Sequence, residues 1–138
     1  MLESCMGSRV GRLHRLVDRQ FDQHLRPLGL SVPQMEVLSA LTLIGRPVKP
    51  SFLADVLSME RSTMSRNLSI MQERGWVEPG DVSATGRSMS VVISREGVLK
   101  LESAETAWRE AQEAVVAALG TDAPSTLDDW LNKLVADR

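Results

Sequence analysis

Residues Ser51 to Arg95 read SFLADVLSMERSTMSRNLSIMQERGWVEPGDVSATGRSMSVVISR, and the order of signals in this stretch decides the fold. Leu53, Ala54, Val56 and Leu57 form a short apolar face after Pro50 and Ser51, a pair of the kind that precedes a first helical turn. Met64, Leu68 and Met71 then recur at i, i+4 and i+7, which places them on one inward stripe of a second helix. Ser62, Ser65, Arg66 and Ser69 fall on the other side. Glu73-Arg74-Gly75 ends that helix, because glycine adopts the left-handed C′ conformation without a Cβ clash. Trp76 and Val77 begin an extended run that Pro79-Gly80 breaks, Val82 to Gly86 reads as a small polar loop, and Ser88 to Ile93 resumes the extension with β-branched residues. Helix, turn, helix and two-strand ribbon in that order predict a winged helix-turn-helix, a reader of duplex DNA.

The side chains on the polar face suit that task. Serines let the backbone approach base edges, and an arginine that pairs with a guanine in bidentate fashion discriminates by about 1–3 kcal/mol. The predicted contacts are Arg61, Ser62, Thr63, Ser65, Arg66 and Ser69 on the helix, with Arg87 and Ser88 on the ribbon. Arg87 suits a narrow minor groove, where the negative potential is strongest. Alternatively, the serines are a solvated helix face and Arg87 an exposed loop residue.

Charge is distributed to fit. The chain has 16 basic and 18 acidic residues, a formal net charge of −2. Residues 44–95 carry Arg46, Lys49, Arg61, Arg66, Arg74, Arg87 and Arg95 against Asp55, Glu60, Glu73, Glu78 and Asp81, a balance of +2. Residues 1–43 balance to +1, and the acid collects in residues 96–138, at −5. So few cations predict modest non-specific affinity, and because phosphate neutralisation drives such binding, strong salt dependence is expected.

Four segments together resemble the MarR family of bacterial transcriptional regulators. Leu25 to Gln34 (LRPLGLSVPQ) is similar to the family's link between its first two helices, and Arg61 to Leu68 (RSTMSRNL) to its recognition helix. Arg74-Gly75-Trp76-Val77 resembles the entry to the wing, and Ile93-Ser94-Arg95-Glu96-Gly97 the junction of the wing with a long helix. The resemblance covers nearly all 138 residues. One departure is Thr85, where the family usually has an aspartate two residues before the wing arginine, placed to orient it.

The ends of the chain complete the architecture. Val10, Leu13, Val17 and Phe21 recur at helical intervals over residues 10–25. After Ser94, a candidate N-cap, one long helix to Leu119 is predicted by Leu101, Ala104, Trp108, Ala111, Val115 and Ala118, with Gly120 closing it. Pro124-Ser125 opens a last helix with Leu127, Trp130, Leu131, Leu134 and Val135 on one face. These stripes exceed what a small reading head can cover, so a homodimer is expected, as the resemblance also implies. The expected fold is mainly α with a small two- to three-stranded β-wing. It forms a single MarR-like domain over 1–138, with dimerisation helices at 1–30 and 95–138 and a winged helix-turn-helix at 31–94. Two heads would then meet successive major grooves about 34 Å apart on a pseudo-palindromic site.

Other classes find little support. No apolar stretch approaches about 18 residues, so a cytoplasmic protein without membrane attachment is expected. His14 and His24 stand ten residues apart and cannot share a metal, and the one cysteine cannot build a zinc site. No phosphate-cradling glycine loop and no nucleophilic triad is present, so neither an enzyme nor a cofactor is expected. The resemblance implies a small organic effector, often an aromatic or phenolic acid, in a crevice between the dimer helices and the heads. Its expected lining is Leu13, Val17, Met35 and Leu38, with His14 or Arg15 for an anion. Thiol oxidation at Cys5 is the alternative signal. A winged helix used for protein contact is the alternative role for the head.

Overall fold

The structure is a computed structural model describing residues 2–80 and 90–136. Among these residues the elements run α1 (Met6–Leu25), a 3-10 turn (Arg26–Leu28), α2 (Val32–Ile44), α3 (Pro50–Val56), α4 (Arg61–Glu73), β1 (Val77–Pro79), β2 (Val91–Ile93), α5 (Arg95–Ser103), α6 (Glu105–Leu119) and α7 (Ala123–Ala136), with a 3-10 turn at Leu2–Ser4 before them. They form two compact units, residues 25–105 and residues 1–24 with 106–138. The expected division at 30 and 95 differs in that residues 25–30 and α5 fall with the head.

The unit of residues 25–105 owns the core. Leu25, Val37, Leu38, Leu41, Leu53, Met64 and Met71 are each 2 % exposed or less. At about 1.5–3 kcal/mol per fully buried side chain, their burial alone is a large driving force. The inward stripe of α4 is the one expected, with Met64, Leu68 and Met71 all buried. α2 begins with a capping box: the Gln34 amide N–H donates to Ser31 Oγ and the Ser31 N–H to Gln34 Oε1.

Three helix ends in this unit close in the same manner. After α4, the Trp76 N–H donates to Met71 O at 2.9 Å and the Gly75 N–H to Gln72 O at 3.0 Å, with Gly75 at φ 77°. After α3, the Met59 N–H donates to Ala54 O and the Ser58 N–H to Asp55 O. After the turn at Arg26–Leu28, Leu30 and Gly29 bond back to Leu25 and Arg26. Each is a Schellman closure, which satisfies the last carbonyls and turns the chain sharply.

The sheet is an antiparallel pair in the register Val77↔Ile93, Glu78↔Val92 and Pro79↔Val91. Val48 adds a third, single-residue rung by exchanging both backbone hydrogen bonds with Val91. This explains why a proline stands inside β1. The backbone N–H and C=O of Val91 are both bonded to Val48, so its partner Pro79 is not called on to donate the N–H it lacks. The wing loop Val82 to Gly86, with Thr85, Arg87 and Ser88, lies outside the described residues; among the described residues of the second extended run, β2 covers Val91–Ile93.

The single helix expected from Ser94 to Leu119 is divided at Ala104. The Ala104 N–H donates to Leu101 O, three residues back, and Ser103 Oγ donates to Lys100 O. Tightened bonding of this kind breaks the four-residue ladder while the backbone of Ala104 stays in the right-handed helical region. Apolar spacing continues straight through such a break, so periodicity could not locate it.

The second unit, built from α1, α6 and α7, is unlike the first. Among its described residues only Phe21 and Ala111 are buried. Leu127, Trp130, Leu131, Leu134 and Val135 of α7 are 40–72 % exposed.

Candidate nucleic-acid interface

The candidate reading surface starts from the turn between α3 and α4. Ser58 occupies a left-handed conformation, φ 51°, the one non-glycine residue among those described with positive φ. That turn, with α3 packed on α4, sets the inclination of α4. Its buried stripe then fixes the rotation of α4 about its own axis, because Met64, Leu68 and Met71 can satisfy the core only in one setting. Ser62, Ser65, Arg66 and Ser69, at i, i+3, i+4 and i+7, are thereby turned outward, and all four are exposed.

Arg61 is exposed as well, whereas Thr63 is half-buried at the edge of the face. Thr63 organises its neighbours: its carbonyl accepts from Asn67 Nδ2 at 3.0 Å, and its Oγ1 lies 3.5 Å from Arg66 Nη2. The second distance is long for a hydrogen bond, so the Arg66 guanidinium is loosely held and keeps its donors for another acceptor. One face therefore presents two arginines and three serine hydroxyls, able to donate to base edges and phosphates alike.

The far end of α4 is anchored where sequence reading gave no contact. Arg74 Nη1 donates to Gly29 O at 2.7 Å, across 45 residues of chain, and its guanidinium lies 5.0 Å from the Trp76 ring centre. Lys100 of α5 sits 5.4 Å from the same ring. Ser94 Oγ caps α5 by accepting from the Gly97 N–H, and donates to Gly75 O in a short hydrogen bond. Nothing in the local pattern around Arg74 signals its partner, because Gly29 is brought near only by tertiary folding.

The residues expected to line an effector site are divided between the two units. Leu13, His14 and Val17 line a groove of about 430 Å³ within the α1, α6 and α7 unit, together with Val115, Leu119, Leu127 and Leu131. Arg15 does not line it; an added Cβ at Gly11 would lie 3.3 Å from Arg15 Nη1, so the side chain folds back along α1. Met35 and Leu38 are 8 % and 0 % exposed inside the other unit. α2 needs those two for the core, a demand that the first-helix stripe does not share. Cys5 is exposed just before α1. No group of three or more His, Cys, Asp or Glu is placed to hold a metal among the described residues.

Comparison with known proteins agrees with this geometry. The sequence profile of the MarR family matches residues 28–88. The regulator PecS of Dickeya dadantii is 26 % identical over 90 residues, which cover 64 % of this chain and 54 % of PecS, so the chain spans about half the length of that relative. The M. tuberculosis transcriptional regulator MosR, solved in complex with DNA, is 30 % identical with a TM-score of 0.81, covering 97 % of this chain and 96 % of its own. CouR from Rhodococcus jostii, solved with p-coumaroyl-CoA, shares the fold at a TM-score of 0.79 and 18 % identity, over 98 % of this chain and 94 % of its own. No single helix among the described residues is long and apolar enough to cross a membrane. A profile over the reading head, a DNA-bound relative matching from end to end and an outward serine–arginine face on the second helix of the motif lead to one assignment: the chain belongs to the MarR family of DNA-binding transcriptional regulators, and is not an enzyme.

Proposed function

We propose that the protein is a homodimeric, sequence-specific repressor that holds a pseudo-palindromic operator through the two copies of α4 and leaves it when a small organic acid binds. The observation that carries this is the outward face of α4, on which Arg61, Ser62, Ser65, Arg66 and Ser69 are exposed while the opposite stripe is locked in the core. Thr63 supports the helix from the edge of that face, and Arg87 and Ser88 of the wing would extend the contact into the neighbouring groove. With DNA as its partner, the protein would work in the cytoplasm.

Support for the dimer comes from the second unit. A helical assembly with two buried side chains among its described residues, and an α7 whose leucines and tryptophan face water, has not completed a core. A second copy supplies the missing surface at no cost in new sequence, and a two-fold axis matches a palindrome.

For the effector, the groove beside Leu13, His14 and Val17 offers an apolar wall with three polar side chains in its lining, His14, Gln112 and Asp128, so an anionic group would have to meet His14 and Gln112 and stay clear of the Asp128 carboxylate. Such a lining favours a flat or aliphatic body carrying one anionic group. Binding there releases the operator only if it favours a head spacing that DNA does not.

The test is fluorescence anisotropy on a duplex selected from random DNA by the wild-type protein. Arg66→Ala should weaken binding more than tenfold and relax the preference over a scrambled duplex, whereas Arg87→Ala should lower affinity for both duplexes evenly. Wild-type behaviour of both variants would overturn the assignment of the surface.

A further inference from the structure

Arg74 invites a simple reading, an exposed arginine at the end of a recognition helix waiting for a phosphate. Its surroundings argue otherwise. One guanidinium nitrogen is committed to Gly29 O at 2.7 Å, and the guanidinium lies over Trp76 at 5.0 Å. Gly29 is the left-handed residue that closes the turn between α1 and α2, at φ 71°. Trp76 is itself nearly buried, and its carbonyl accepts from the Ser94 N–H at 3.0 Å. Arg74 therefore ties the C-terminal end of α4 to two other parts of the head at once.

We infer that Arg74 is a positioning residue for DNA reading, holding the aim of α4 from its far end without touching DNA. This rests on the proposed reading face of α4, and adds how that face is kept in register. α4 has 13 residues. At 1.5 Å per residue a helix of that length spans about 20 Å, so a swing of about 10° at the tethered end moves the other end by about 3 Å. Base contacts tolerate only about 0.5 Å and 10–20° of error. Arg61, Ser62, Ser65 and Arg66 lie in the N-terminal half, where such a swing is felt most.

The experiment measures operator affinity against salt concentration for wild type, Arg74→Ala, Arg74→Lys and Arg66→Ala, on the selected duplex and on a scrambled one. Near-UV circular dichroism confirms that each variant is folded. The tether biases α4 toward its reading orientation by about the net worth of one exposed hydrogen bond, which predicts a roughly five- to tenfold drop in operator affinity for Arg74→Ala. Binding to the scrambled duplex and the slope of log affinity against log salt stay at their wild-type values. Arg74→Lys, which can still donate to Gly29 O, recovers most of the loss. A slope shallower by about 0.9 would make Arg74 a phosphate contact and overturn the inference. Unchanged operator affinity in folded Arg74→Ala would overturn it too, leaving a role in stability alone. Arg66→Ala keeps the two claims apart: full specificity in that variant refutes the reading face itself, whatever Arg74 does.

Discussion

Gly97 stands three residues after the Ser94 cap, at a point where α5 passes against the chain entering the wing. A Cβ there would overlap the Trp76 carbonyl and come within 2.7 Å of Ile93 Cγ1. Since the obstacle is backbone already bonded to Ser94, it cannot step aside. Gly97→Ala should cost about 1–3 kcal/mol in urea unfolding, the usual penalty of overpacking. Ser58 is the opposite case, an L-residue in a left-handed turn that glycine fills with less strain. Ser58→Gly should raise stability by about 0.5–1 kcal/mol and leave operator affinity unchanged, since the turn keeps its shape. Cys5 is exposed and is the one cysteine of the chain, so a disulfide could form only between two protomers. Operator binding measured before and after mild peroxide should be the same for wild type and Cys5→Ser. A loss in wild type that the serine variant escapes would move the signal from organic acid to thiol.

Among the elements, α4 was legible in the sequence and α5–α6 was not, for one physical reason. The buried and exposed stripes of α4 differ in chemistry as well as position, so Met64, Leu68 and Met71 against Ser62, Ser65, Arg66 and Ser69 identify both its class and its outward face. The run from Ser94 to Leu119 keeps apolar spacing across Ala104, and the local tightening there leaves no trace in a pattern of residue types. The Ser31 and Gln34 capping box, though not among the expected features, rests on a local Ser-x-x-Gln signature, whereas the Arg74–Gly29 tie leaves no local signature, because it joins residues 45 apart. Effector residues were least legible: Met35 and Leu38 are apolar for the sake of the core, and sequence alone does not separate core lining from groove lining. Ser94 shows what one side chain can join, as the cap of α5 and a donor to Gly75 O at the end of α4. Ser94→Ala should destabilise the protein by about 1–2 kcal/mol, the range for a lost N-cap, and chemical denaturation would measure it.

On the scale of the whole molecule, the two units differ in completeness. The reading head has a core of its own; the α1, α6 and α7 unit leaves Trp130 53 % and Leu134 72 % exposed. Neither side chain lines the groove, so filling the groove with an effector would leave both in water. Light scattering should therefore give twice the 15.2 kDa chain mass for wild type, and a smaller, concentration-dependent mass for Leu134→Asp. That variant should also lose operator affinity steeply while keeping weak binding to any duplex, because a single head still carries its arginines.

The central claim is that the serine–arginine side of α4 enters the major groove, once from each protomer. Selection of bound fragments from random duplex DNA, run in parallel with wild type and Arg66→Ala, tests it most directly. Wild type should enrich a palindrome whose half-sites are centred about 10 base pairs apart, one helical turn, and Arg66→Ala should lose preference at one symmetric pair of positions within it. Identical motifs from the two proteins, or enrichment of no symmetric motif by wild type, would contradict it.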